Sequence, residues 1–301
     1  TAVGAPPGLN TLKILSKDYK VIGIDSDLYA CGLYHQPITP YQVPRLDTPE
    51  YIPSLLKICR ENQVDVILPC FEKETLKISE NRSLFEEVGV SFLLPPHQTL
   101  VACCDKYQTM LQAEKVGIPH PKTFLLKGGA DLSKVDLQFP VVIKPTKGAG
   151  ARGLEYPQNE EELKEAADRL IPKHGSMIVQ ELIPGEAGSV YMCSLLYDKK
   201  NKLKASFLSR SLKAMYKNGG PAIIGEPMKD ERILNLAKKL IDSFGNYCGP
   251  AAVEFKIDER DQIPKLMEIN PRLWGYSKLS FGSGMNFHKK TAQLALGEDI
   301  P

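Results

Sequence analysis

Apolar and polar positions alternate in two ways along the chain. In the first hundred residues, the short apolar runs "YKVIGID" (19–25), "VDVILP" (64–69) and "VSFLLP" (90–95) read as strands. Between them, "EYIPSLLKICRENQ" (50–63) and "EKETLKISENRSLFEEVG" (72–89) carry apolar residues at helical spacing, the first weakened by Pro53 and the second ending at Gly89. Short β-branched runs separated by helices predict a parallel sheet with crossover helices. The opening "TAVGAPPGLNTLKIL" reads as the tail of a strand, a turn and a helix, so an apolar strand is expected ahead of Thr1. Asp25 and Asp27 end a strand at the edge where such sheets often bind ligands, but their residue type suits a turn. "GAPPG" (4–8) lacks the G-x-G-x-x-G spacing, which leaves a Rossmann-like unit with no sign of NAD.

The pattern changes near Leu100. "DKYQTMLQAEKVGIPHP" (105–121) predicts a helix stopped by Gly117 and followed by extended chain at Pro119 and Pro121. A strand "VVIKP" precedes "GAGARG" (148–153), then comes an acidic helix start, "NEEELKEAADRLI" (159–171), and a strand and turn, "SMIVQELIPGE" (176–186). Residues 189–197, 203–209, 251–258 and 263–270 read as further strands. "DERILNLAKKLIDSFG" (230–245) is an amphipathic helix, and "NFHKKTAQLALG" (286–297) a last helix capped by Gly297.

Composition narrows the function classes. The 301 residues predict two or more domains. With 38 basic and 36 acidic residues the net charge is +2, which argues for neither a nucleic-acid nor a membrane surface. No apolar run approaches the ~18 residues of a membrane span. Seven cysteines without a C-x-x-C spacing fit neither a disulfide framework nor a zinc site, and read as reduced thiols of a cytoplasmic protein. The five histidines are isolated.

Candidate chemistry lies in three places. The stretch "MEINPRLWG" (267–275) ends an apolar strand in a carboxylate, an amide and a guanidinium. Strand alternation sends Glu268 and Asn270 to one face and Met267 and Ile269 to the other, and Pro271 stops the ladder with Arg272 at its mouth. Two hard oxygen ligands two residues apart suit Mg²⁺; a solvated strand end is the other reading. In "AAVEFKID" (251–258), Glu254 faces opposite to Val253 and Phe255, and two antiparallel neighbouring strands can put it beside Glu268. Clustered acids of this kind repel unless cations neutralise them; surface carboxylates paired with lysines such as Lys256 are the alternative. "GAGARG" is not followed by a helix, so it reads as the tip of a strand–loop–strand flap whose backbone N–H groups can approach phosphates. Lys144, within an apolar strand, needs an anion to meet. No G-x-x-x-x-G-K-[ST] occurs.

Taken in order, Lys106, Lys144, GAGARG, "VQELIPGE", Glu254 and "MEINPR" resemble the ATP-grasp superfamily, most closely the carbamoyl-phosphate synthase large-chain type of carboxylate–amine ligase. The resemblance implies a mixed α/β and α+β protein: a Rossmann-like N-terminal domain (1–100), then a two-lobed ATP-grasp domain (101–301) with 118–184 as the lobe covering the nucleotide. It implies that Lys106 and Lys144 contact the phosphates, with Gly148, Gly150 and Gly153 in the covering flap. Glu181 and Leu182 would meet the adenine edge and Glu186 the ribose, although "GEAGSV" departs from the family's acidic-then-aromatic pattern there. Glu254, Glu268 and Asn270 would hold Mg²⁺, with Mn²⁺ as the alternative, and Arg272 would reach the reacting phosphate. Arg210, read as the end of an apolar strand in "FLSRSLKAMYKNGG", would hold a substrate carboxylate, and Lys213 and Lys217 read as surface residues. The implied substrates are ATP, a small carboxylate and a small amine; a homodimer is compatible with the chain. A bicarbonate-activating enzyme and a non-catalytic ATP-binding module are the two alternatives.

Overall fold

The computed structural model describes residues 1–148, 150–216 and 219–300. Lys217, expected at the surface, and Ala149 of the glycine loop lie outside the described residues.

The chain opens with α1 (Pro6–Leu15), β1 (Ile22–Asp25), β2 (Thr39–Gln42), α2 (Tyr51–Glu61), α3 (Glu72–Glu80), α4 (Arg82–Glu87) and α5 (His97–Cys104). β1 and β2 pair in parallel, Ile22 opposite Thr39. Backbone hydrogen bonds carry this layer onward, from Val3 N to Ile24 O (3.2 Å), Thr1 N to Leu68 O (3.1 Å) and Ile67 N to Ser91 O (3.0 Å). The expected strands at 64–69 and 90–95 meet only through the parallel bridge Val66–Ser91. Pro69 and Pro95 lack the N–H that would extend the ladder. Ile24, Leu55, Ile78, Phe85 and Phe92 form the core beneath.

Local chemistry explains two departures from the periodicity. Pro53 is the third residue of α2, in the first turn, where its missing N–H has no intrahelical partner to lose. The helix expected over 72–89 is two helices, broken at Asn81, whose φ/ψ of −102°/26° leaves the helical region while its Nδ2 donates to Lys77 O (2.8 Å). Asp25, the last residue of β1, and Asp27 after it support the following turn: Asp25 accepts from the N–H groups of Gly4 (2.8 Å) and Asp27 (3.0 Å), and Asp27 from that of Tyr29 (2.9 Å).

Next come α6 (Lys106–Lys115), β3 (Thr123–Leu126), β4 (Val141–Pro145), α7 (Glu160–His174) and β5 (Met177–Glu181). Asp105 caps α6, accepting from Tyr107 N and Gln108 N, and Gly117 follows in a left-handed conformation. The three strands form an antiparallel sheet in the order β3–β5–β4. Leu163, Ala166, Ala167 and Leu170 of α7 pack on Val141, Ile143, Met177 and Val179.

The remainder comprises β6 (Val190–Tyr197), β7 (Leu203–Tyr216), β8 (Gly219–Met228), α8 (Glu231–Asp242), β9 (Gly249–Ile257), β10 (Pro264–Asn270), α9 (Lys278–Gly282) and α10 (Phe287–Leu296). The strands make an antiparallel sheet in the order β10–β9–β6–β7–β8. One face, with Cys193, Leu195, Val253 and Phe255, packs on Ile233, Ala237, Leu240 and Ile241 of α8. The opposite face carries Met192, Leu196 and Ala252 and packs with Trp274 and with Phe287 of α10. β7 runs on through Arg210 to Tyr216, so Arg210 sits within the strand rather than at its end. β8 was hidden in the sequence because Gly219, Gly220, Pro221 and Pro227 give it the composition of a loop. No helix among the described residues is long and apolar enough to cross a membrane.

Candidate functional site

A cleft of about 570 Å³ lies between the three-stranded and five-stranded sheets. Lys106, Lys144, Gly148, Gly150, Glu181, Leu182, Glu254, Glu268, Asn270 and Arg272 all line it.

The floor is built by strand register. β9 and β10 pair antiparallel with Glu254 directly opposite Glu268 and Ala252 opposite Asn270. Because Val253 and Phe255 are buried against α8, alternation turns Glu254 to the other face. A β-bulge between Leu266 and Glu268 makes Met267 the extra residue. Strict alternation, which sends Met267 away from Glu268, therefore fails: Met267 also lines the cleft.

The cations come from other elements. Lys106, the first residue of α6, lies 3.5 Å from Glu268 and donates to the Gly148 carbonyl (2.6 Å). Asn270 Nδ2 donates to Glu268 Oε1 (2.8 Å), and Arg272 donates through NH2 to Asn270 Oδ1 (3.0 Å) and through NH1 to Leu273 O (3.1 Å). The buried Arg272 Nε has no partner among the described residues.

These neighbours split two chemically identical carboxylates. Burial raises the Glu254 pKa and the facing Glu268 charge raises it further, against the pull of Lys144, Lys106 and Lys256. Burial works in the same direction on Glu268, but Lys106, the Asn270 amide, Lys144 and Arg272 together bring it below the usual carboxylate value. Lys144 is lowered to about 8, by burial first and by Lys106 second, with Glu268 and Glu254 opposing. The cluster is thus a partly desolvated, densely charged site of the kind associated with ligand and catalytic chemistry. Among the described residues, no group of three or more His, Cys, Asp or Glu side chains is placed to hold a metal ion.

The glycine loop covers one side. After β4 the chain returns antiparallel to it, with Ile143 and Glu155 exchanging two hydrogen bonds of 3.0 Å and Val141 N donating to Pro157 O (3.0 Å). This is the strand–loop–strand shape expected. Gly148 and Gly150 have φ of +114° and +77° and open space where a Cβ would stand.

Three expected site residues are not brought to the cleft. Gly153 packs inward instead: a Cβ there would stand 3.0 Å from both Pro145 and His174. Glu186 is solvent-exposed and does not line the cleft; its carbonyl accepts from Ser189 N in a short turn. Arg210 is paired across the sheet with Glu226, Nε to Oε1 at 2.9 Å with a second, closer contact from NH2. Lys256, a potential partner for the floor carboxylates, instead donates to Ile183 O (2.8 Å) and props the chain after β5.

Several residues were not anticipated. Gln180, Lys147, Arg152, Tyr276 and Pro6 also line the cleft. Glu72, at the start of α3, reaches the same charge cluster from the first layer: burial raises its pKa, and Lys106, Arg272 and a Gly148 backbone hydrogen bond restrain it. The approach of residue 72 to residue 148 is tertiary, and no local pattern signals it.

Two family models match the chain. Residues 10–93 match the PylC-like N-terminal domain and residues 103–276 the ATP-grasp domain. The chain is 23% identical over 275 residues to D-aspartate ligase of Enterococcus faecium, covering 82% of this chain and 64% of that protein. It is 24% identical over 323 residues to the carbamoyl phosphate synthase large chain of Thermotoga petrophila, covering 98% of this chain and 28% of that protein. It therefore spans less than two thirds of the length of either relative. N5-carboxyaminoimidazole synthetase from Staphylococcus aureus, solved with ADP, superposes with a TM-score of 0.78 at 19% identity, over 99% of this chain and 76% of that one. With its domain match extending over more than half of the sequence, this chain belongs to the ATP-grasp family.

Proposed function

We propose that the protein is an ATP-dependent carboxylate–amine ligase. The observation that carries this reading is the pairing of Glu254 with Glu268 beneath the glycine loop, with Lys106 and Lys144 beside them. A lone acidic pair is costly to bury; together with two lysines and an arginine it forms a receptacle for a triphosphate.

In this reading the lobe 118–184 covers the nucleotide. Adenine meets the chain at Glu181 and Leu182, where β5 ends, and the Lys256 contact holds Ile183 in place beside it. Lys106, Lys144 and the backbone of Gly148 and Gly150 hold phosphate oxygens. Glu254, Glu268 and Asn270 would hold Mg²⁺, with Mn²⁺ as the alternative. The donor set fits: two carboxylates and an amide oxygen, with no ion-pair partner at Glu254 among the described residues. When bound, the cation supplies positive charge against the triphosphate.

A carboxylate oxygen of the substrate attacks the γ-phosphorus, and the bond from that phosphorus to the β–γ bridging oxygen breaks, releasing ADP. The amine nitrogen of the second substrate then attacks the acyl carbon. The C–O bond to phosphate breaks, phosphate leaves, and the amine proton passes to solvent. Arg272, fixed by Asn270 and the Leu273 carbonyl, offsets charge on the transferred group. Orientation and electrostatics supply the rate, since no side chain need form a covalent intermediate.

Phosphate release from ATP and Mg²⁺, measured against pools of small carboxylates and amines, tests this. Release that requires a carboxylate is expected. Release on bicarbonate alone moves the protein to the bicarbonate-activating class, and tight ATP binding without release makes it a binding module.

A further inference from the structure

Beyond Arg272 the cleft changes character. The loop leaving β10 turns under the first layer, where Asn10 Nδ2 donates to Gly275 O (2.7 Å) and Pro6 lies 3.7 Å from the position of a Gly275 Cβ. Tyr276 follows and faces the cleft. α9 then packs on β8, with Leu279 Cδ2 at 3.4 Å from the Cβ position of Gly225. These contacts bring the β7–β8 hairpin over the same end, and Met215, Pro221 and Ile223 of that hairpin line it.

Two features of this end stand apart from the nucleotide half. The first is exposed apolar surface. Met215 and Ile223 are 53% and 50% exposed, and they lie on a hairpin that also exposes Leu212, Tyr216 and Ile224. Of these, Met215 and Ile223 line the cleft, and exposed apolar side chains at a cleft mouth mark binding surface. The second is charge. The lining cations are Lys106, Lys144, Lys147, Arg152, Lys256 and Arg272, which belong to the start of α6, the glycine loop, β4, β9 and the β10 mouth. Of the cations on the described residues of the hairpin, Arg210 is neutralised by Glu226 and Lys213 is exposed, and neither lines the cleft.

We infer that the carboxylate substrate carries an apolar body, such as the aliphatic or aromatic side chain of an amino acid, enclosed by Met215, Pro221 and Ile223 on one side and Pro6 and Tyr276 on the other. This rests on the ligase reading above. An acidic side chain at the same place would give up its hydration without gaining a counter-charge. Covering an aliphatic or aromatic side chain by these five residues favours it by about 10- to 100-fold over an acidic one of similar size.

The test uses the full chain with ATP, Mg²⁺ and hydroxylamine as a general amine, and measures both phosphate and hydroxamate. Leucine, methionine and phenylalanine are compared with aspartate and glutamate. The expected result is a kcat/KM at least about tenfold higher for the apolar set. Met215→Asp and Ile223→Asp are expected to raise KM for the apolar acid about tenfold or more while the Kd for ADP, which also reports folding, stays the same. Preference for aspartate or glutamate, or an unchanged KM in both variants, overturns the substrate class and leaves the ligase reading standing. ADP binding with no phosphate released by any carboxylate removes the ligase reading, and this inference falls with it.

Discussion

Glu254 and Glu268 stand directly opposite one another across β9 and β10, yet only Glu268 has a lysine within ion-pair distance among the described residues. The unpaired member holds the strained position, because burial and its twin both disfavour its charge. Glu254→Gln is therefore expected to stabilise the metal-free protein, by about 1 kcal/mol. The same change is expected to abolish the additional stabilisation conferred by MgATP, which for a ligand at 100 times its Kd is about 2.7 kcal/mol. Thermal unfolding with EDTA and with MgATP reads both. A metal-free Glu254→Gln protein less stable than the parent contradicts the repulsion argument.

Lys106 ties the glycine loop to the floor through Gly148 and Glu268, while Lys144 is desolvated and feels the charges of both carboxylates and of Lys106. Lys106→Met is expected to raise KM for ATP, and Lys144→Met to lower kcat, each with a loss of about 10²- to 10³-fold in kcat/KM. Lys144→Arg is not expected to rescue, since a planar fork does not replace a compact ammonium in a packed strand. ADP formation checks these; losses below threefold speak against a phosphate role.

The Arg210–Glu226 pair is half-buried within the sheet. A double-mutant cycle of Arg210→Ala and Glu226→Ala in urea is expected to return only the weak coupling of a solvent-screened ion pair. Arg210→Ala is also expected to leave the Kd for ADP unchanged. If Arg210 instead contacts substrate, Arg210→Ala raises the KM for the carboxylate and Glu226→Ala does not restore it.

His288 gives a pH dependence away from the cleft. Its Nδ1 lies 3.0 Å from Thr11 Oγ1, its Nε2 is buried without a partner among the described residues, and burial lowers its pKa from 6.5 to about 4. A depressed folded-state pKa means that the stability is fully present above 6.5 and is lost as pH falls from there to about 4. The full loss is on the order of 3 kcal/mol. Unfolding free energies from denaturant titrations of the parent and of His288→Gln between pH 4 and 8 are expected to diverge by that amount at the acid end.

Much of the site could be read from strand alternation and order along the chain. Glu254 interrupts one apolar strand and Lys144 another, and Glu268, Asn270 and Arg272 close or follow a third, so their chemistry stands out against a simple background. What escaped reading did so for physical reasons. The bulge at Met267 depends on how β10 seats on β9, which one strand's pattern does not encode. β8 is rich in glycine and proline because it is the outer strand of a hairpin at a sheet edge, where lost ladder donors cost little. With β8 unseen, Glu226 was unseen, and Arg210 looked free. Glu72 meets the cluster only because the first layer folds back on the rest of the chain.

The seam between that first layer and the five-stranded sheet runs through Asn10 to Gly275 and Thr11 to His288, with α1 seated on α10. Those attachments make a single anvil of everything that carries Arg272, the paired acids and Pro6. The three-stranded sheet is linked to it along the chain by two short irregular stretches, around Pro119 and Pro184, and is tied to it further by Lys106 N donating to Thr146 O (2.7 Å) and Lys106 Nζ to Gly148 O (2.6 Å). A nucleotide taken up in the cleft is accordingly expected to slow hydrogen exchange in the three-stranded sheet more than in α1 and α10, a comparison that exchange with and without ADP reads directly.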